Sequence, residues 1–450
     1  MAESAPAPKN ILRGHKAQIH AAAFIRDNER LVTADAEGYV VVWDLVVMRP
    51  AAVWRAHENS ILGVEGWGRD RVITHGRDHK LIVWRLAEED EQDLDVVLPV
   101  EHVAQPHRQP WILYLVEVNT LNFCSFAACT RRDRETLCGP DASSDILVAV
   151  PNTLASEAID VFALPGQSRL YTVKSSLKNG LVMSLRLLHL AGCLTLLAGF
   201  EDGCASVQRL NAAGAWVMTY RSQAHSQPIL SLDLDPSREC FFTSSADSMI
   251  VQHPIPTAPQ SLTLRASASG QSVKDAGASL ISSAEPVPSD ASEAKGPDAC
   301  RPTERLQEWK NPLKTINTKH SGQQSLRVRS DGKVFATAGW DSKIRVYSSK
   351  TLKELAVLQW HKVGAYAVAF ADVGQANKSA ASDQSSARQI ARDSGAGLSR
   401  SSAAGSLVSS NGVVGNSRES VKDRRMRQAR STHWIVAGAK DGKVSLWDLY

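Results

Sequence analysis

Five histidines in this chain are each followed along the sequence by an acidic residue that could make a dyad with them. They are His15, His57, His225, His320 and His361, with Glu37, Asp78, Asp247, Asp341 and Asp441 as the acids. A His bonded to a carboxylate is the general-base half of many hydrolases, so the pairs have first to be weighed as chemistry. Each acid stands six residues before an aromatic side chain or its stand-in: Trp43, Trp84, His253, Tyr347 and Trp447. Four residues before the acid lies Thr33, Thr74, Thr243 or Thr337, with Ala437 replacing Thr in the last set. An active site needs one copy of its machinery, whereas five copies at one spacing serve folding. The His–acid sets are therefore read as buried hydrogen-bond networks, in which each unsatisfied polar group would cost about 1–3 kcal/mol.

The elements that must hold these sets repeat as well. The stretches ADAEGYVVVWDL, HGRDHKLIVWRL, FEDGCASVQRL, SADSMIVQHPI, GWDSKIRVYSS and AGAKDGKVSLWDLY, with an eroded ASEAIDVFAL near Phe162, all show a turn residue followed by an alternating strand. His15 precedes Trp43 by 28 residues, His57 precedes Trp84 by 27, His225 precedes His253 by 28 and His320 precedes Tyr347 by 27. Seven such units predict an all-β fold, a seven-bladed β-propeller of four-stranded blades in one domain spanning residues 1–450. His361 lies 86 residues before Trp447, so the last blade carries an insertion, placed by its Ser, Ala, Gly and Arg content at residues 372–431. A second Ser-, Pro- and Ala-rich stretch, residues 257–311, is expected to join the fifth blade to the sixth. Both insertions read as disordered loops.

The last repeat closes on Trp447 with no outer strand after it. The segment KNILR, residues 9–13, precedes the first blade and is expected to supply that strand, which would seal the ring and cover an open sheet edge.

Net charge is +4 and the sequence pI about 8.6, short of a nucleic-acid footprint. The seven cysteines make no Cys-x-x-Cys pair, and their odd number argues for a reducing compartment. Cys124, Cys129 and Cys138 with His102 and His107 match no common zinc spacing, so no metal or other cofactor is expected. MAESAPAPKN lacks the apolar core of a signal peptide. The apolar run 181–200 is split by Arg186, His189 and the Ala191-Gly192 turn into two strands, so no membrane span is expected. No single-copy nucleophile stands out, which argues against an enzyme and against a small-molecule substrate.

The residues just before the turn acids should form a circle on one face of the ring: Ala36, Arg77, Glu201, Ala246, Trp340 and Lys440. Arg77, Glu201, Trp340 and Lys440 are the candidate partner-binding rim, because Trp and Arg dominate interaction hot spots. The basic run RRMRQAR at Arg424 to Arg430 reads either as a solvated loop or as an import signal or acidic-partner contact.

The repeats are similar to those of WD40 proteins over nearly the whole chain. Within that class, ILRGHKAQIHAAAF, ADAEGYVVVWDL, RAHENSILGVEGW, THGRDHKLIVWRL and the ending HWIVAGAKDGKVSLWDLY resemble the ASTRA-associated proteins of fungi, WD-repeat subunits of the ASTRA complex. The resemblance implies a non-enzymatic scaffold in the nucleus, with the cytoplasm as a second location. It implies protein partners: helical-repeat co-chaperone subunits, RuvB-like ATPases and phosphatidylinositol-3-kinase-related kinase clients, with a link to chromatin remodelling. The alternative is a substrate or histone-tail receptor module of another nuclear complex. The Ser-rich insertion in the last blade is a departure from the pattern.

Overall fold

The computed structural model of the chain describes residues 7–101, 106–118, 123–131, 145–174, 178–257, 310–372 and 420–449. Those residues form seven four-stranded antiparallel sheets, the seven blades expected from the repeat. Alternation inside each strand sets the layers: in Tyr39–Asp44 and Lys443–Asp448 the four central residues are buried between neighbouring blades. The core therefore lies between blades, as where Trp54 and Trp84 meet edge to face at 5.8 Å.

The innermost strands, among them Ile19–Ile25, Ile61–Trp67, Ile229–Leu234 and Ala365–Phe370, line the channel. Six of the seven begin with the same irregularity in pairing: the register shifts between Ile19 and Ala21, Ile61 and Gly63, Val182 and Ser184, Ile229 and Ser231, Gln323 and Ser325, and Ala365 and Ala367. Such bulges bend a strand and sharpen its twist. The residue past each bulge is small because the next blade crowds it. A Cβ added at Gly63 would lie 1.8 Å from Ser125 Oγ.

Closure is by the N-terminal segment. Asn10–Arg13 runs antiparallel to Lys443–Asp448, with Asn10 opposite Leu446 and Arg13 opposite Lys443, so blade 7 takes its outer strand from the start of the chain. The apolar run near residue 190 forms the strands Val182–Leu190 and Cys193–Phe200, turning at Ala191 and Gly192 with positive φ. Among the described residues no helix is long and apolar enough to cross a membrane.

Two expectations about the insertions need correction. Residues 257–311 do not join blades 5 and 6. Lys314–Asn317 pairs with Met249–Pro254 as the fourth strand of blade 5, so the inserted stretch lies inside that blade. In addition, the end of the 372–431 insertion is a helix, Val421–Ser431, where a loop is expected. Its Ser420 and Asp423 form a reciprocal capping box, which satisfies two backbone donors that a loop would leave to water. Residues 258–309 and 373–419 lie outside the described residues.

The helix is tied to blade 1. Arg430 bonds Glu29, and Asn28 donates to the carbonyls of Asp372 (2.9 Å) and Arg430 (3.3 Å) while its own Oδ1 accepts from Asp372 N. One turn, whose Arg26, Asp27 and Asn28 all have positive φ, thus grips both ends of the inserted stretch. Successive strands of a meander turn alternately at the two faces of the ring. Both insertions follow turns of one face, and the His–acid residues gather at the other.

Candidate functional site

The networks come first because they decide what the histidines can do. In blade 2, His57 Nδ1 lies 2.8 Å from Asp78 Oδ1 and its Nε2 lies 2.8 Å from Thr74 Oγ1, which also accepts from Trp84 Nε1 at 2.8 Å. One assignment satisfies every atom: Trp84 N–H donates to Thr74, Thr74 O–H donates to His57 Nε2, and His57 Nδ1–H donates to the carboxylate. Hydrogen bonds from His57 hold the Asp78 carboxyl below the usual range against the upward push of burial. Blade 5 repeats the chain with His225, Asp247 and Thr243, and His253 replaces the indole. The free nitrogen of His253 is met by the Tyr220 hydroxyl at 2.7 Å, and burial keeps its imidazole neutral.

In blade 1 the acid is Asp35 and not Glu37. His15 Nδ1 lies 2.8 Å from Asp35 Oδ2, with Thr33 and Trp43 completing the chain, and Glu37 is exposed. Asp35 occupies the register position that is Gly76 in blade 2, where a Cβ would stand 2.4 Å from His57 Nδ1. A carboxylate grown from that position reaches its histidine directly. Its second oxygen accepts from the backbone of Glu37 and Tyr39, closing the turn.

Blade 6 departs further, since His320 is not part of its network. Its side chain reaches neither Thr337 nor Tyr347, and Asp341 is bonded instead by both terminal nitrogens of Arg345, at 3.1 and 2.6 Å. Arg345 faces Thr337 across the strands and is 2% exposed. In blade 7 the hydroxyl has moved to the facing strand. Ser445, opposite Ala437, bonds His361 Nε2 at 2.8 Å and accepts from Trp447 Nε1 at 2.9 Å. Asp441 is 4.0 Å from His361 and pairs with Lys443. The signal for both departures was a polar residue, Arg345 or Ser445, at a buried position of an alternating strand.

His15, His57 and His225 have both ring nitrogens occupied and brace separate blades, while the buried His361 keeps only its bond to Ser445. His75, wholly buried without a partner for either ring nitrogen, is held neutral by burial down to about 3. Burial also raises the Cys124 thiol and takes Cys129 up to about 12, so neither is a ready nucleophile or ligand. Among the described residues no His, Cys, Asp and Glu cluster fits a metal ion. His102 and Cys138 lie outside them.

The six rim positions are structurally equivalent. The backbone N–H of Ala36, Arg77, Glu201, Ala246, Trp340 and Lys440 donates to the carbonyl of Gln18, Ser60, Leu181, Pro228, Gly322 and Gly364 respectively. Arg77 and Trp340 line one cavity of about 380 Å³ at the channel mouth, together with Gln18, His20, Ser60, Leu62, Phe123, Gln324 and Tyr366. Glu201 and Lys440 do not reach it: the Glu201 carboxylate accepts from Leu181 N and Lys440 is exposed elsewhere on the circle. Phe123, His20 and Tyr366 were missed in the sequence: His20 and Tyr366 are the bulged residues of their strands, a repeated position that the turn acids do not mark, and Phe123 lies outside the strands.

Below this cup the channel carries Glu65, Arg186, Asp233 and Arg327. Arg186 pairs with Asp233 at 2.9 Å, and burial pushes the Glu65 carboxyl up against the pull of Arg186 and Arg327.

Fold and site together define a class: a closed β-propeller whose repeated histidines brace its blades and whose irregular feature is an aromatic cup over the channel. Within that class the chain belongs to the ASTRA-associated protein 1 family, whose sequence profile matches residues 8–447. It is 47% identical over 448 residues to the ASTRA-associated protein 1 of Verticillium alfalfae, covering 99% of this chain and 93% of that protein. Identity to the Pyricularia oryzae protein of the same name is 46%, covering 98% and 97%. The Schizosaccharomyces pombe protein is 29% identical, covering 81% and 93%.

Proposed function

We propose that this chain is a non-enzymatic scaffold subunit of the ASTRA complex. In this reading it works in the nucleus, holding helical-repeat co-chaperone subunits and RuvB-like ATPases during maturation of phosphatidylinositol-3-kinase-related kinases and in chromatin remodelling. The observation that carries the reading is the match to ASTRA-associated proteins across residues 8–447. The geometry supports it, because a rigid ring whose buried histidines serve folding offers its loops and channel mouth for contact with other proteins.

Affinity purification of the tagged protein from its own cells, followed by mass spectrometry, tests the reading. Recovery of the co-chaperone subunits with the RuvB-like ATPases is the expected result. Recovery of ubiquitin-ligase adaptors or nucleosomes without them would replace the scaffold with a substrate or histone-tail receptor.

A further inference from the structure

Three observations meet at the cup. The first is an open apolar surface held in place. Trp340 is 48% exposed and Phe123 56%, yet Trp340 is anchored by its Nε1–H to Gln324 Oε1 at 2.9 Å and lies so close over Gly322 that a Cβ there would sit 2.2 Å from the ring. A ring fixed before binding loses little entropy on contact. The second is an unpartnered cation. The Arg77 guanidinium stacks over Phe123 at 4.5 Å, with no ion pair or side-chain hydrogen bond of its own among the described residues. Its half-buried charge is stacked on a ring and is open to pair with an incoming carboxylate. The third is the sign of the remaining wall. Gln18, Ser60 and Gln324 are neutral, no carboxylate among the described residues lines the cavity, and burial, with a smaller push from Arg77 and against the pull of Ile61 and Asp35, lowers the pKa of His20.

We propose that the cup binds an acidic segment of a partner protein, with an aromatic or large apolar side chain seated among Trp340, Phe123 and Tyr366 and a neighbouring carboxylate paired to Arg77. This rests on the scaffold reading only in taking the ligand to be part of another protein. A lysine or arginine side chain finds no acid in this wall and meets the Arg77 charge. A nucleic-acid strand needs a track of cations along its phosphates, and among the described residues that line the cup Arg77 is the single one.

The test uses the full-length protein and fluorescence anisotropy with four labelled probes. They are an octapeptide of Asp and Glu around one Phe, the same peptide with Phe replaced by Ala, the same with its acids replaced by Lys, and an oligo-dT strand. The acidic Phe peptide should bind at least tenfold more tightly than the other three. Arg77→Gln should weaken it about tenfold, a 1.4 kcal/mol change, and Arg77→Glu should shift preference to the Lys peptide. Trp340→Ala should reduce binding of both Phe-containing peptides, and the thermal melts of all variants should match the parent. The proposal fails if the Lys peptide or oligo-dT binds as well as the acidic one, if Arg77→Glu leaves affinity unchanged, or if no peptide binds up to about 1 mM. Purification of the parent protein from cells, set beside the peptide titrations, separates the two readings. Co-chaperone subunits recovered with the parent protein while the peptides fail would remove the cup and leave the scaffold; peptides that bind as expected without those subunits would do the reverse.

Discussion

In blade 2 the turn acid is joined to the strand aromatic by a hydrogen-bonded chain, Trp84 to Thr74 to His57, that ends on Asp78. Blade 6 holds His, Thr and Asp at the same spacing, with Tyr347 in place of the Trp, yet there Asp341 is gripped by a buried guanidinium from its own blade and His320 stands aside. The comparison separates two things a repeat conserves. The strand register is common to both, since Thr74 faces Ile82 as Thr337 faces Arg345. The chemistry differs because Ile82 leaves the space to the leading histidine and the long Arg345 fills it. A repeat thus sets where side chains start, and their length decides which atoms meet.

The largest effect expected is from Asp341→Ala. It would strip both terminal nitrogens of a nearly sealed arginine of their partner, leaving Glu354 at 3.4 Å as the remaining acid. A loss of about 3 kcal/mol in urea unfolding is expected; a loss under about 1 kcal/mol would mean that water or Glu354 already carries the charge. Next comes Thr74→Ala, which orphans the buried Trp84 N–H and His57 Nε2 together and should cost about 2 kcal/mol, most of it restored by Thr74→Ser.

A third experiment uses pH to probe blade 2. His75 titrates near 6.5 when unfolded but is held to about 3 in the fold. Between those values the unfolded chain binds a proton that the folded one refuses, so stability is full above 6.5 and falls as pH drops toward 3. Its share of the slope is up to about 1.4 kcal/mol per pH unit. Melts of His75→Leu and parent protein at several pH values should diverge in slope within that window; equal slopes would show that His75 finds a proton acceptor on opening. The smallest effect is His320→Ala, expected within about 0.5 kcal/mol by urea unfolding. A cost comparable to that of His57→Ala would return His320 to the network and erase the contrast between the blades.

Much of the ring was legible because a propeller is a periodic object. Alternation and the 27- or 28-residue spacing predict blade number and strand order, and the unpaired final strand predicts the role of Asn10–Arg13. Blade 2 was readable in atomic detail since every residue there keeps its type. Blade 1 was not, because Asp35 and Glu37 are both acids near the turn and their difference lies in which Cα–Cβ bond points at His15. Capping at Ser420 and Asp423 was a local signal available in the sequence, masked by the Ser- and Arg-rich composition around it.

The sequence by itself determined the seven-fold repetition, the antiparallel register and the closure of the ring, since these depend on spacing and on hydrophobic alternation within about forty residues at a time. Only the tertiary structure decided that Arg345 would displace His320, that Asn28 and Glu29 would hold both ends of the last insertion, and that Arg77, Phe123 and Trp340 would share one cup. Those contacts join residues from different blades, or turn on the reach and direction of single side chains. Neither property has a period that a linear chain can display.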